Sequence, residues 1–154
     1  MTPVLAELKV GDALPPLTYH VTRKQLVQYA GAAGDFNAIH WNQRVATDVG
    51  LPDVIAHGMF TMASAGRIVT NWVGDPGLVK SFEVRFTRPV VVADDEAGAE
   101  VEVTAVVGAL QPDEGTARID ITAKFEGQTV LGKARVVVAL PWAPRGTGVS
   151  PGPS

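Results

Sequence analysis

The sequence has 154 residues, of which 46% are hydrophobic, with 13 basic side chains, 16 acidic side chains and no cysteine. This size and composition predict one globular domain with an ordinary core. The net charge of −3 without a basic cluster argues against a nucleic-acid-binding protein, and the lack of cysteine excludes disulfides, thiolate nucleophiles and cysteine-ligated metal sites.

The N-terminal residues have no basic segment leading into an apolar run, and the longest nearly uncharged stretch, 54–73, contains His57, Arg67 and Asn71. Secretory signals and membrane spans show the opposite patterns. We therefore expect a cytoplasmic protein that does not enter a membrane.

A helix is predicted to begin next to Thr22. Thr22 and Gln25 have the spacing of a capping box, in which each side chain reaches the backbone N–H of the other residue. Gly34 is the expected end of this helix. Residues 35–40 then form a predicted loop, and a short helix is expected at 43–49.

The stretch from Gly58 to about Trp72 is also predicted to be helical. Its small residues at 63–66 lie among large apolar side chains, so the helix is apolar nearly all round. That pattern is typical of a buried helix. We expect this long helix to lie at the centre of the domain.

After a break at 74–77 the apolar residues recur with period two, which is typical of half-buried antiparallel strands. Strands are predicted at 82–86, 100–105, 118–125 and 134–140, with turns at 112–115 and 126–128 and a weak early strand near 13–19. Helices followed by strands indicate an α+β domain. We predict a single hot-dog fold at 1–140, with an antiparallel sheet wrapped around the central helix. The Pro/Gly/Ser-rich segment 141–154 is predicted to be a disordered tail.

The segment 29–40, Tyr-Ala-Gly-Ala-Ala-Gly-Asp-Phe-Asn-Ala-Ile-His, is the first candidate site. Asp35 and His40 are close enough in a loop for their side chains to converge, and a carboxylate beside an imidazole makes an acid–base pair. Asn37 could fix a carbonyl or orient a side chain. The alternative is that Asp35 and Asn37 only form turns and that His40 is a half-buried structural histidine.

The second candidate is the segment 55–59, Ile-Ala-His-Gly-Met, immediately before the central helix. A glycine there lets a ligand oxygen approach the free N–H groups of the helix start, so Gly58, His57 and Met59 form a predicted oxyanion-hole and substrate-binding segment. We expect His57 to be structural, or to pack beside the site, and not to carry a proton. In the alternative, His57 caps the helix and Gly58 only relieves a tight bend.

Together the two segments resemble the hydratase-2 motif and the helix start of MaoC-like, R-specific enoyl-thioester hydratases and dehydratases. The likeness covers most of residues 5–140. It is greatest to the catalytic B subunits of mycobacterial-type (3R)-hydroxyacyl-ACP dehydratases, through 35–41 and 71–77. Where the family usually has proline, this chain has Ala38, a change that loosens the loop without removing a chemical group.

The resemblance implies that Asp35 and His40 are a catalytic dyad, supported by Asn37, with the Gly58 N–H as oxyanion donor. The implied reaction is acid–base loss of water from a (3R)-3-hydroxyacyl thioester to give a trans-2-enoyl thioester, or its reverse, in fatty-acid-type metabolism. It needs neither a metal nor a redox cofactor. The sequence leaves open which of Asp35 and His40 exchanges the proton at C2. It also leaves open the acyl chain length, the pathway, and whether the carrier is CoA or acyl carrier protein.

Two rival functions remain: hydrolysis of acyl thioesters, as in other hot-dog proteins, and non-catalytic acyl binding that shapes a partner's tunnel. Asp35 and His40 together argue against the second, and the histidine with the Gly58 helix start argues against the first. A single hot dog leaves a sheet edge and a helix face uncovered, so a dimer is expected. The partner would be a second copy or a related subunit without the dyad.

Overall fold

The computed structural model describes residues 2–143. The helices are α1 (Arg23–Ala33), α2 (Gln43–Asp48) and α3 (Gly58–Val73). The strands are β1 (Leu17–Val21), β2 (Val79–Phe86), β3 (Ala99–Gln111), β4 (Thr116–Phe125), β5 (Gln128–Thr129) and β6 (Leu131–Ala139). Short 3-10 helices occupy Leu5–Glu7, Ala38–His40, Pro76–Leu78 and Pro112–Glu114.

The strands form one antiparallel sheet in the order β1-β3-β4-β6-β2, with β5 paired to β4. α3 contacts β1, β2, β3, β4 and β6, so the sheet curves around it. The predicted α+β hot-dog fold is confirmed. The predicted early strand lies slightly later than expected, at Leu17–Val21, and the two-residue strand β5 was not predicted.

Most of the predicted tail, 144–154, lies outside the described residues. Within the described part, the carbonyls of Pro141 and Trp142 accept hydrogen bonds from the N–H groups of Leu5 and Ala6, at 2.9 and 3.4 Å. In residues 2–143, no helix has both the length and the apolar character needed to span a bilayer. The cytoplasmic location stays a prediction.

Local sequence signals determine the ends of the first helices. The Thr22 N–H donates to Gln25 Oε1 at 2.8 Å, which is one half of the predicted capping box. α1 ends at Gly34, whose backbone is left-handed with φ 69°. Asn42 Oδ1 accepts the Val45 N–H at 3.2 Å and so caps α2, which ends one residue before the predicted boundary.

The central helix is buried on one side only, so the prediction of a helix buried all round is wrong for the single chain. Its buried face consists of Thr61, Ala65, Ile68, Val69 and Val73. On the other side, the positions 59, 63, 67 and 71 are exposed, and Met59 is 58% exposed. The reason is that one curved sheet reaches around only part of the helix circumference.

Two glycines of α3 lie under two phenylalanine rings of β2. A Cβ atom on Gly58 would lie 3.0 Å from Phe86 Cε1, and one on Gly66 would lie 2.9 Å from Phe82 Cε1. Eight helical residues span about 12 Å and four strand residues about 13 Å, so the two pairs match in spacing. Helix and strand therefore run antiparallel, and the start of α3 lies beneath the end of β2.

A partly buried arginine connects three segments near the start of α3. Arg23 Nη2 donates to Asp53 Oδ1 at 2.7 Å, and Arg23 Nε donates to the Val92 carbonyl at 2.9 Å. The Asp53 carboxylate also accepts the Val54 N–H at 2.7 Å. α1 is thereby joined both to the segment that precedes α3 and to the loop that follows β2.

Candidate active site

The two candidate segments lie side by side. The Ile55 N–H donates to the Ile39 carbonyl at 3.2 Å, which connects the second segment to the first. On its other side, the Ala56 N–H donates to the Val90 carbonyl at 2.9 Å. The backbone thus brings Asp35 and His40 next to the start of α3.

His40 is buried, with 7% of its surface exposed, and lies close to Asp35. Its Nδ1–H donates to the Ile55 carbonyl at 2.7 Å. Because a carbonyl only accepts, this bond places the ring proton on Nδ1 and leaves Nε2 available for proton exchange. A carboxylate oxygen of Asp35 and one nitrogen each of His40 and His57 lie within 4.8 Å of one another.

The protonation of His40 depends mainly on its burial. Burial lowers the pKa of His40 below its ordinary value of 6.5, while the hydrogen bond to Ile55 opposes that change. The neighbouring His57 lowers the pKa further and the Asp35 carboxylate raises it. The net direction is downward, so the ring is neutral at pH 7 and Nε2 carries a lone pair.

Asn37 acts on the backbone of this loop. Its Oδ1 accepts the Ile39 N–H at 3.3 Å, which caps the 3-10 helix Ala38–His40 that carries His40. Its own N–H donates to Asp35 Oδ1 at 3.2 Å. Ala38 is the first residue of that helix, a position where proline needs no N–H partner, so alanine replaces it without loss of a hydrogen bond.

His57 lies next to Asp35 and His40 and is 1% exposed. Its ring stacks on that of His40, with centroids 3.8 Å apart and planes 23° apart. Its Nε2–H donates to the main-chain carbonyl of Asp35 at 3.1 Å. His57 is expected from the sequence to be structural or to pack beside the site, but the sequence has no signal for this stack, because the contact joins residues 17 positions apart.

A cavity of about 450 Å³ opens beside these residues. Its lining includes five of the six predicted site residues, namely Asp35, His40, His57, Gly58 and Met59, and does not include Asn37. The lining residues that the sequence analysis missed are mainly apolar or come from the end of β2, among them Phe86, Arg88, Val130 and Leu131. Period-two alternation predicts Phe86 only as a strand residue.

The start of α3 supplies free N–H groups at this cavity. The Thr61 N–H donates to the His57 carbonyl at 3.1 Å and is the first N–H bonded within the helix. The N–H groups of the three preceding residues, including Gly58 and Met59, therefore have no acceptor within the helix. The helix dipole favours negative charge at the same end. A carbonyl oxygen that gains charge would be stabilised here.

Asp35, His40 and His57 carry side-chain atoms of the kind that bind metal ions. A bound ion must lie near the plane of each imidazole ring, because the nitrogen lone pair lies in that plane. The two ring planes differ by only 23°, with centroids 3.8 Å apart, so they meet far from either ring. This geometry favours proton transfer over metal binding by the pair of histidines.

Residues 9–124 match the family described as MaoC like domain. The chain is similar to 3-hydroxyacyl-thioester dehydratase X of Mycobacterium tuberculosis, with 38% identity over 79 residues, 51% of this chain and 27% of that protein. It is also similar to the 3-oxo-4,17-pregnadiene-20-carboxyl-CoA hydratase beta subunit of the same organism, with 31% identity over 123 residues, 80% of this chain and 87% of that protein.

Among solved structures, a MaoC-like dehydratase superimposes with a TM-score of 0.87 and 41% identity, over 90% of this chain and 42% of that chain. The chain thus spans about a quarter of dehydratase X and less than half of the solved dehydratase chain. It corresponds to nearly the whole of the hydratase beta subunit.

Proposed function

The chain belongs to the MaoC-like domain family, and on that premise we propose that it interconverts (3R)-3-hydroxyacyl thioesters and trans-2-enoyl thioesters by loss or addition of water. The observation that carries the proposal is the Asp35 carboxylate beside the neutral His40 ring, at a cavity that also contains the start of α3. The relatives described above are named as dehydratases and hydratases, which supports the same chemistry.

In the proposed dehydration, one dyad member removes the C2 proton and the other protonates the departing 3-hydroxyl group, so that water leaves and a C2–C3 double bond forms. Negative charge develops on the thioester oxygen as the C2 proton leaves. The Gly58 N–H is the proposed donor to that oxygen. The apolar side chains of Phe86, Val130 and Leu131 offer a surface for the acyl chain. Asn37 supports the dyad through the backbone contacts that position His40 and Asp35.

Product analysis distinguishes this activity from thioester hydrolysis. The purified protein is incubated with a trans-2-enoyl-CoA, and the products are separated by chiral chromatography with mass detection while free thiol is measured in parallel. A hydratase gives the (3R)-3-hydroxyacyl-CoA without thiol release. Release of stoichiometric thiol would replace our proposal with a hydrolase, and neither product would favour an acyl-binding subunit.

The carrier of the acyl group is proposed to contact Arg88. This side chain is exposed and lines the cavity, and among residues 2–143 the structure gives it no ion-pair partner. CoA and acyl carrier protein both present the acyl group on a phosphopantetheine arm, and arginine is well suited to bind its phosphate.

Arg88→Ala should therefore raise the KM for an enoyl-CoA about tenfold and leave kcat/KM for the enoyl N-acetylcysteamine thioester, which lacks a phosphate, unchanged. Lys24→Ala removes an exposed cation outside the cavity lining and serves as the control. An enoyl-acyl carrier protein, tested as a third substrate, shows whether Arg88 binds the phosphate of the shared phosphopantetheine arm or one of the other phosphates of CoA. Equal losses with all three substrates would disprove the phosphate contact.

The exposed face of α3 is proposed to be covered by a second hot-dog subunit that lacks the dyad. The support is that Met59 of this face borders the cavity, and that the similar hydratase chain is named as a beta subunit. Co-expression with such a partner should give a 1:1 complex whose activity is abolished by His40→Ala in this chain alone. A stable homodimer, measured by light scattering, that is fully active on long-chain substrates would disprove the heterodimer and leave the hydratase proposal intact.

A further inference from the structure

The stack of His57 on His40 is not an ordinary way to fill a core. Both rings are buried, at 1% and 7% exposure, with centroids 3.8 Å apart. An imidazole brings two nitrogens that need hydrogen-bond partners, and a buried polar atom without one is costly. A phenylalanine or leucine would fill the same space without that cost.

Of the two His57 ring nitrogens, Nε2 has a hydrogen-bond partner and Nδ1 has none in the described part of the chain. Its Nε2–H donates to the main-chain carbonyl of Asp35 at 3.1 Å, which places the ring proton on Nε2. Its Nδ1 is buried and has no hydrogen-bond partner among residues 2–143. Tyr29 packs edge-on against the ring at 4.8 Å and also contacts Phe60, so His57 is enclosed between Tyr29 and His40.

One side chain thus contacts both members of the proposed dyad. The stack restrains the plane of the His40 ring, and the hydrogen bond holds the backbone from which the Asp35 carboxylate extends. We propose that His57 is a positioning residue, which sets the separation of the Asp35 carboxylate and His40 Nε2 by contacting both from behind. This inference depends on the dyad role in the proposed function.

The stack also connects the protonation of the two rings. Among the described residues, the ionisable side chains that face His57 are those of His40, Asp35 and Tyr29. Two imidazoles in stacked contact repel each other when both carry a proton. In agreement, His57 contributes to the lowered pKa of His40. A replacement of His57 that cannot ionise should raise the pKa of His40.

Two variants separate the two contacts. His57→Phe keeps a flat ring and loses the N–H donor, whereas His57→Gln keeps an N–H donor and loses the ring. We expect each to lower kcat about tenfold with KM changed less than about twofold, because small displacements of reacting groups reduce turnover without loss of binding. In both variants the acid limb of the pH–rate profile should move to higher pH. His20→Gln, on the surface beside Glu100, is the control and should change neither quantity.

A readout independent of activity is the NMR titration of the histidine Cε1–H signals, assigned with His20→Gln and His57→Gln. The His40 midpoint should lie below 6.5 in the wild-type protein and should rise in His57→Phe. Absence of a nuclear Overhauser contact between the His40 and His57 rings in the wild-type protein would overturn the proposal even if both His57 variants failed to fold. Wild-type kcat and an unmoved pH profile in both folded variants would overturn it as well. If the wild-type protein hydrates no thioester, the proposed function fails, while the titration still tests the ring contact.

Discussion

Asp35→Asn and His40→Ala should each lower the turnover of an enoyl thioester by about 10² to 10⁴-fold, the range typical of a lost general acid or base. Asparagine retains a side-chain oxygen that can accept the Asn37 N–H, so the local turn should persist while the proton-exchanging group is lost. Alanine at position 40 removes Nε2 together with the bond from Nδ1 to the Ile55 carbonyl. Initial rates of hydration and a thermal melt of each variant measure the two effects separately.

The control for the dyad variants is His20→Ala, which removes an exposed histidine that pairs with Glu100 outside the cavity lining. It should retain full turnover. Near-normal turnover in either dyad variant would remove that residue from the mechanism. A large fall in the melting temperature that accounts for all lost activity would favour the alternative in which Asp35 only forms a turn and His40 is a structural histidine.

The burial of His40 predicts a characteristic pH dependence for the proposed activity. Because the pKa of His40 is lowered from 6.5, the neutral ring persists at pH values below 6.5 before it takes up a proton. Turnover that needs the neutral ring should therefore be constant across neutral pH and fall only below the lowered pKa. The lowered pKa of His40 also makes the free energy of unfolding depend on pH, because below about pH 6.5 the unfolded chain takes up a proton at His40 before the folded protein does. The stabilisation is complete above about pH 6.5 and is lost as the pH falls toward the lowered pKa.

Local signals were sufficient to predict most of the fold. The start of α1 follows from Thr22 and Gln25 and its end from Gly34, because a capping box and a left-handed glycine act within one helical turn. Period-two alternation identified the four long strands that follow α3. The one-sided burial of α3 could not be predicted, because its small and apolar residues are compatible with a second subunit as well as with a core.

The candidate site likewise has some features with a local signal in the sequence and others without one. The spacing of Asp35 and His40 and their complementary chemistry make them candidates but leave a structural alternative open, and only the resemblance to the MaoC-like family implies that they form a dyad. The contacts of His57 with both, and of Phe86 with Gly58, join segments distant in sequence and depend on how β2 and α3 pack. Periodicity contains no information on which residue of a strand lies over which residue of a helix, so these contacts required the three-dimensional structure.

Gly58→Val is expected to be the most damaging substitution outside the dyad. The backbone of Gly58 does not have a positive φ, so a side chain there would meet crowding by its neighbours and not backbone strain. A Cβ at this position would lie 3.0 to 3.3 Å from three atoms of the Phe86 ring, and a valine adds two methyl groups beyond that atom. Either Phe86 moves or the start of α3 shifts, and both line the cavity.

Turnover of Gly58→Val should fall by about 10²-fold or more, because an oxyanion donor displaced by even a fraction of its hydrogen-bond length loses most of its effect. Gly66→Val is the matched control, since its Cβ would meet the Phe82 ring in the same way at 2.9 Å, further along the same helix and outside the cavity lining. Both variants should lower the melting temperature by a similar amount, and only Gly58→Val should lose turnover beyond what its folded fraction explains. If the two variants lose turnover and melting temperature in parallel, Gly58 is required only for the packing of α3 against β2. In that case the donor to the thioester oxygen must be sought at another N–H of the helix start.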